Sequence, residues 1–263
     1  MQRQRFENKY IMPEALAAQV REFVAAHLEL DENGVGKPNY SYPVHSLYPD
    51  GGQLDTYWMT INGDKNRFKL RLRFYNDKEN TPVFFEIKRR MNNCMIKQRG
   101  GVWKSAVPAI LAGQAPSPDM MISQDPKHLF AVQRFMELMQ RLRARPKAHV
   151  AYLREAYIHP DHDDCRVTFD RDVRVEARTE AIFTTDMVSP AHPFAPEVIL
   201  ELKFANRYPD WFRSLVRHFN LLQCGAAKYC EGIDALGGLL QPATNGWHAP
   251  TGKDHLLSAS VEA

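Results

Sequence analysis

The sequence contains few cysteines and no long apolar run. Its four cysteines show no C-x-x-C spacing in 263 residues, which argues against a disulfide framework and fits a reducing compartment. No stretch approaches the roughly 18 apolar residues of a membrane-spanning helix, and the N-terminus has no apolar signal segment. We therefore expect a cytoplasmic protein without a transmembrane segment. Recruitment to the inner face of a membrane by a membrane-protein partner is left open.

The sequence also lacks a large excess of either charge. It has 34 Lys and Arg against 31 Asp and Glu, so its formal net charge is +3. This balance argues against a globally basic protein that coats nucleic acid, and we expect no nucleic-acid partner. Any electropositive site must then come from the local placement of basic residues.

One segment places basic residues in a regular pattern. Residues 67–75 read Arg-Phe-Lys-Leu-Arg-Leu-Arg-Phe-Tyr, and this alternation predicts a β-strand with one basic and one apolar face. Same-face neighbours on a strand lie about 7 Å apart, where two unit charges repel by roughly 2 kcal/mol at an effective dielectric constant of about 20. The basic face must therefore lie in open water, or it must face internal carboxylates or a bound polyanion.

Several other segments alternate charged and apolar residues in the same way. They are residues 3–10, 83–90, 94–99, 149–158, 166–172 and 198–204. Residues 45–48 are a further candidate strand, which brings the count to eight. Apolar residues at helical spacing predict three amphipathic helices, at residues 13–29, 126–143 and 209–222. Residues 55–61 fit either a strand or a short helical turn.

These elements predict an α+β fold, in which an eight-stranded antiparallel β tunnel or barrel with a polar, basic lumen is flanked by amphipathic helices. A lumen lined by Lys and Arg needs counter-charge, since unpaired buried cations are prohibitively unfavourable. We therefore expect it to hold a polyphosphate-like anion or internal carboxylates. The predicted domain covers residues 1–240. Residues 241–263 show no periodicity, and we expect them to form a disordered C-terminal tail.

Short motifs along the chain resemble those of a known family. They are Arg5-Phe6-Glu7-Asn8-Lys9-Tyr10, Arg71-Leu72-Arg73-Phe74-Tyr75, Glu86-Ile87-Lys88, Tyr152-Leu153-Arg154-Glu155-Ala156, Arg166-Val167-Thr168-Phe169-Asp170, Glu201-Leu202-Lys203 and Lys228-Tyr229. In order and spacing they resemble the VTC domain, the catalytic domain of the vacuolar transporter chaperone polyphosphate polymerase. That family belongs to the triphosphate tunnel metalloenzymes, whose eight-stranded tunnel matches the predicted fold.

The resemblance implies roles for individual residues. The cations expected to bind the phosphates of nucleotide and polymer during catalysis are Lys9, Arg71, Arg73, Lys88, Arg154 and Lys228. Further cations expected to bind substrate are Lys97, Arg166, Lys203 and Lys69. Glu201 matches the carboxylate that holds Mn²⁺ or Mg²⁺. Glu7 and Glu86 share its strand phase and are expected to ligate the metal or to balance neighbouring lysines.

The chain departs from the family pattern at three places. Arg5 stands where many tunnel enzymes carry the first glutamate of an E-x-E-x-K strand, which is compatible with the VTC branch. An insertion after Pro49 interrupts the family's Ser-Leu-Tyr-Phe-Asp-Thr motif. Ala227 replaces a serine before Lys228, so a hydroxyl that could contact phosphate is missing.

The resemblance implies a phosphotransferase that moves the γ-phosphoryl group of ATP onto a growing polyphosphate chain and releases ADP, with a divalent metal. ATP and polyphosphate would then be its partners. Two alternatives stay open at this stage. The tunnel could hydrolyse triphosphates or polyphosphate with a water nucleophile, or it could bind polyphosphate, a nucleotide or an inositol phosphate without turnover.

Overall fold

The computed structural model describes residues 5–92, 94–161 and 164–237, and the predicted tail lies outside them. The strands are β1 (Arg5–Met12), β2 (Glu29–Leu30), β3 (Ser41–Asp50), β4 (Asn66–Phe74), β5 (Pro82–Met91), β6 (Cys94–Trp103), β7 (Arg145–Ile158), β8 (Cys165–Ala177) and β9 (Val198–Ala205). The helices are α1 (Glu14–Ala25), α2 (Asp55–Ile61), α3 (Val107–Leu111), α4 (Pro126–Leu142), α5 (Asp210–His218) and α6 (Lys228–Ala235). No helix in these ranges is long and apolar enough to cross a bilayer.

The strands form one antiparallel sheet that curls into a tunnel. Their order is β2-β7-β3-β4-β5-β6-β1-β9-β8, and β8 also pairs with β7, so the longer strands follow one another around a ring. The weakest junction joins β1 to β6 through one residue pair in the described structure, Arg5 with Met95. The predicted eight-stranded antiparallel tunnel is confirmed, with approximate closure and with β2 as a short extra strand.

The alternation of residues explains how this sheet is covered on the outside. Leu70, Leu72 and Phe74 of β4 point away from the lumen into a buried cluster, where they pack with Val132 and Phe135 of α4. A second cluster packs α1 and α5 against the outer faces of β1, β8 and β9. Amphipathic helices therefore bury the apolar face of the sheet, as expected from the sequence.

Helix α4 shows how local sequence sets the ends of an element. Pro126 occupies its first turn, where a missing backbone N–H is tolerated, and the Asp125 carboxylate accepts a hydrogen bond from the backbone N–H of Lys127. Arg143 ends the helix in the left-handed conformation with φ of 48°. The helix thus matches the predicted range, residues 126–143, to within one residue.

The lumen is not polar along its whole length. Residues 55–61, which the sequence left undecided, form α2, and α2 packs with α6 at one end of the tunnel. There an apolar cluster includes Ile199, which shares one face of β9 with Glu201, and Tyr229 of α6. Because these helices exclude water from that end, apolar side chains fill it, and the basic lining is confined to the rest of the tunnel.

A buried histidine pair lies on the outer side of β3 and β7. Nδ1 of His45 is 3.1 Å from Nε2 of His149, and both residues are buried. Burial lowers the pKa of His45 to about 4 and that of His149 to about 3, with the nearby Arg174 acting in the same direction. Both imidazoles are therefore neutral in the folded protein at neutral pH.

This pair should make the protein sensitive to mild acid. The unfolded histidines, with an ordinary pKa of about 6.5, take up protons below that pH, whereas the folded ones do so only near pH 4 and below. The free energy of unfolding should fall by up to about 2 kcal/mol for each histidine between pH 7 and pH 5. In a His45→Asn, His149→Gln variant, urea titrations should show much of this pH dependence removed. An unchanged pH dependence would contradict the assignment.

Candidate functional site

The strands place the predicted site residues on the inner face of the tunnel. Glu7 and Lys9 lie on β1, Lys69, Arg71 and Arg73 on β4, Glu86 and Lys88 on β5, Lys97 on β6, Arg154 on β7, Arg166 on β8, Glu201 and Lys203 on β9, and Lys228 at the start of α6. Side chains from strands that are not neighbours contact one another across the lumen. For example, Lys88 of β5 lies 3.2 Å from a Glu7 oxygen of β1.

Glu201 is the centre of one half of the lumen. Its Oε2 accepts hydrogen bonds from Lys203 Nζ at 2.6 Å and Arg154 Nη2 at 3.1 Å, while its Oε1 accepts from Lys228 Nζ at 3.0 Å. Burial by itself raises the pKa of Glu201, but the surrounding cations outweigh it and hold that pKa well below its usual range. Glu201 is therefore a carboxylate with cations on both oxygens.

Asp170 is a second buried carboxylate beside Glu201. It accepts two hydrogen bonds of 2.7 Å from the Arg154 guanidinium, and Lys228 Nζ lies 2.6 Å from its Oδ2. Asp170 ends the Arg166-Val167-Thr168-Phe169-Asp170 motif but was not among the predicted site residues. The sequence pattern could have indicated Asp170, because it lies two residues after Thr168 and four after Arg166 and so shares the inner face of β8 with them. Asp170 and Glu201 together fix the positions of Arg154 and Lys228.

Lys9 lies between two carboxylates. Its Nζ is 3.3 Å from Glu7 and 3.4 Å from Glu201, and it donates to the carbonyl of Ala226 at 2.8 Å. Burial lowers the pKa of Lys9, but the two glutamates outweigh it and raise that pKa overall. Burial dominates at Lys203, whose pKa falls to about 8. The ammonium groups of Lys9 and Lys203, which lie in the same half of the lumen, therefore differ in how strongly they bind their protons.

Glu86 organises the opposite half of the lumen. It is fully buried and accepts a hydrogen bond of 2.8 Å from Arg71 Nε, while Lys97 Nζ lies 2.7 Å from its other oxygen. Arg99 Nε is 3.4 Å from the same carboxylate, and its guanidinium stacks 3.6 Å from the Phe84 ring centre. Arg99 lies two residues after Lys97 and so shares its strand face, but it was not among the predicted site residues. Burial lowers the pKa of Lys97 to about 7 despite Glu86.

Two predicted substrate-binding residues lie at the margins of this network. Arg166 donates to Asp31 at 2.8 Å, so its charge is paired with a residue from the loop after β2. Lys69 Nζ lies 3.3 Å from the sulfur of Cys230 on α6. Their roles in substrate binding stay predictions.

Asp50, at the insertion that follows Pro49, is fully buried. Its carboxylate accepts hydrogen bonds from the backbone N–H groups of Thr56 and Tyr57 at 2.9 and 3.1 Å, which caps α2. The Tyr229 hydroxyl also donates to Asp50 at 2.8 Å. Asp50 thereby holds α6 in place, directly beside Lys228. Sequence reasoning missed this link because the two partners are 179 positions apart.

The departure at residue 227 has a visible consequence. Ala227 is the residue before α6, and no side chain caps this helix end. Lys228 instead reaches the lumen because α6 is docked through Tyr229, whose ring stacks on Tyr48 with centroids 4.9 Å apart. The missing hydroxyl therefore does not prevent Lys228 from meeting Asp170 and Glu201.

The donor set bears on the predicted metal. Mg²⁺ and Mn²⁺ prefer oxygen ligands, and Mg²⁺ is commonly held by one or two carboxylates together with phosphates and water. Glu7 and Glu201, on either side of the Lys9 ammonium, fit that description. In the described ranges no group of three or more His, Cys, Asp or Glu side chains is arranged to bind a metal ion. All three carboxylates, Glu7, Glu86 and Glu201, contact cations in the described structure, so the metal role of each stays a prediction.

The fold and this site define a tunnel protein whose lumen is lined by basic side chains and buried carboxylates. A family model for the VTC domain matches residues 4–237, and the chain belongs to that family. The family and the site together make it a polyphosphate-related protein with a tunnel fold. The curated proteins include no match to this chain.

Two solved structures are similar over most of their length. The PH1819 protein of Pyrococcus horikoshii OT3 is 13% identical, with 86% of this chain and 96% of that chain covered and a TM-score of 0.43. A Bacillus halodurans protein proposed to be an adenylate cyclase is 8% identical, with 86% and 95% covered and a TM-score of 0.45. Both TM-scores are below 0.5.

Glu86 should be needed for stability as well as for the site. Glu86→Gln leaves the buried Arg71 and Arg73 without their counter-charge, which should lower the free energy of unfolding by about 3 kcal/mol. The matched control is Glu137→Gln, which breaks the exposed pair with Arg134 and should cost less than about 0.5 kcal/mol. Denaturant titrations measure both. Equal losses in the two variants would show that Glu86 does not compensate the arginines.

Proposed function

We propose that the protein is a polyphosphate polymerase that transfers the γ-phosphoryl group of ATP to the end of a polyphosphate chain. The observation that supports this most directly is the arrangement of fixed cations around a lumen within a VTC domain. Arg154 is oriented by Asp170 and Arg71 by Glu86, while Lys9 and Lys228 both contact Oε1 of Glu201. Such a lumen is organised before any phosphate enters it.

In this proposal the arginines position the reacting phosphates. Arg71, Arg73 and Arg154 offer planar guanidinium groups, which bind phosphate oxygens with two parallel hydrogen bonds. Lys9, Lys88 and Lys228 act as point charges that neutralise the phosphate oxygens. Because the carboxylates already hold these side chains, little reorganisation is needed when charge redistributes in the transition state.

The chemical step needs no dedicated base. An oxygen of the terminal acceptor phosphate attacks the γ-phosphorus, the bond between that phosphorus and the β,γ-bridging oxygen breaks, and ADP leaves with the electron pair. The acceptor is already anionic, so no proton has to be removed. Glu201 and Glu7 are the residues that would hold a Mn²⁺ or Mg²⁺ ion, which would neutralise part of the phosphate charge.

ATP and polyphosphate are accordingly the proposed ligands. A cytoplasmic location, and recruitment to the inner face of a membrane by a membrane-protein partner, rest on the sequence expectation and stay predictions.

The deciding experiment follows all products of one reaction. Purified protein is incubated with ATP and Mn²⁺, and ADP, free phosphate and polymer are measured together. The proposal expects ADP and polyphosphate with little free phosphate. Free phosphate equal to the ADP formed would identify a hydrolase instead. ATP or polyphosphate binding without any turnover would leave a binding module.

Glu201→Gln tests the metal and the cation network at once. Removing this carboxylate charge should lower turnover at least about 100-fold at saturating Mn²⁺, since both the metal and the positions of Lys203 and Lys228 depend on it. Binding of tripolyphosphate without metal should persist and serves as the check that the tunnel is intact. Glu22→Gln on the exposed face of α1 is the control. Full activity of Glu201→Gln at saturating metal would remove Glu201 from the metal site.

A further inference from the structure

Aromatic side chains line the end of the tunnel that is remote from α2. Tyr42 lies at the start of β3 and Tyr75 follows the end of β4, whereas α2 connects the other ends of these two strands. Tyr75 is two residues from Arg73 and shares its inner face. Phe84 lies two residues before Glu86 on the inner face of β5. We call Tyr42, Tyr75 and Phe84 the aromatic collar.

The collar side chains are half-buried, whereas Tyr48 and Tyr229 at the other end of the tunnel are buried. The rings of Tyr75 and Phe84 contact each other edge to face, with centroids 6.1 Å apart. Burial raises the pKa of Tyr42, and the nearby Tyr75 acts in the same direction. Tyr42 and Tyr75 also pack against the apolar cluster that includes Tyr229. The collar is thus held in place by protein contacts and is still partly accessible to a ligand.

Arg99 adds a flat charged layer to the collar. Its guanidinium carbon lies 3.6 Å from the centre of the Phe84 ring, and its side chain is 37% exposed. Gly101 is paired with Phe84, and a Cβ at this position would clash with the Ile122 side chain, so the glycine leaves room for both. Nucleobases stack on aromatic rings and on the planes of guanidinium groups. The surface formed by Phe84 and Arg99 offers both kinds of contact.

The strand register places the collar beside the central arginines. Phe84 is directly opposite Arg73, and Tyr42 is directly opposite Arg154. Arg71 lies one step further into the lumen, about 7 Å beyond Arg73. A ligand that contacts the collar and these arginines together must carry a flat ring next to several anionic groups. A nucleoside triphosphate has this composition, whereas polyphosphate and inositol phosphates have no aromatic ring.

We propose that the aromatic collar is a nucleobase subsite, which stacks the purine ring of ATP while the triphosphate extends inward to Arg73 and Arg71. This inference rests on the proposed function, because it takes ATP as the phosphoryl donor. The lumen cations recognise phosphate oxygens and do not by themselves distinguish ATP from inorganic triphosphate. The collar supplies that distinction. Since stacking strength sets base preference in such sites, it also favours ATP over the smaller pyrimidine ring of UTP.

Binding measurements without metal test the subsite separately from turnover. Titration calorimetry gives the affinities for ATP, UTP and tripolyphosphate of the unaltered protein, a Tyr75→Leu, Phe84→Leu variant and its ring-retaining counterpart Tyr75→Phe, Phe84→Tyr. Phe130→Leu is the matched control, because this phenylalanine is exposed on α4 outside the tunnel. The leucine variant should lose about ten-fold in ATP affinity. Its tripolyphosphate affinity should stay unchanged, and the other two variants should bind ATP as the unaltered protein does.

Equal losses for ATP and tripolyphosphate in the leucine variant would overturn the subsite, because the rings would then only position the cations. Unchanged ATP affinity would also overturn it. In both cases polymer formation by the unaltered protein leaves the proposed function intact, whereas failure of the unaltered protein to bind ATP overturns both. If thermal unfolding shows that the leucine variant does not fold, the unaltered protein decides. It must bind ATP more tightly than UTP, and equal affinities would overturn the subsite.

Discussion

The structure depends on the compensation of lumen cations by a few buried carboxylates. Glu86, Asp170 and Glu201 are almost fully buried, and each contacts at least two basic side chains. Without them a tunnel lined by Lys and Arg would repel itself, and the apolar packing outside it would have to outweigh that repulsion. Removing a carboxylate is therefore more damaging than removing a cation, because one carboxylate serves several cations.

The same compensation prepares the lumen for phosphates. Salt bridges to Asp170 and Glu86 orient Arg154 and Arg71, so their guanidinium groups stay in place in the absence of ligand. Cations near the margins, such as Lys97 and Lys88, are more exposed and less firmly held. A polyanion would thus meet adaptable charges first and fixed charges at the centre. This order suits a site that must both admit a flexible chain and align one phosphate of it.

Much of the fold followed from alternation within single strands, because period-two patterns show directly which residues share a face. The same alternation predicted that Glu201 and Arg154 lie on the charged faces of their strands, which together line one lumen. What it could not show were contacts between distant segments. The link from Asp50 to Tyr229 and the helical state of residues 55–61 depend on tertiary packing at one tunnel end. Asp170 and Arg99 were in phase, yet their partners became visible only with strand order.

The docking of α6 has a consequence for how the protein is made. Lys9 and its acceptor carbonyl on Ala226 are 217 positions apart, and Lys228 follows two residues later. A chain still emerging from the ribosome can form the β4–β5 and β5–β6 hairpins early, but β1 must wait for β9, and Glu201 must wait for α6. The charges around Glu86 can therefore be balanced within the early hairpins, whereas those around Glu201 become balanced only near the end of synthesis.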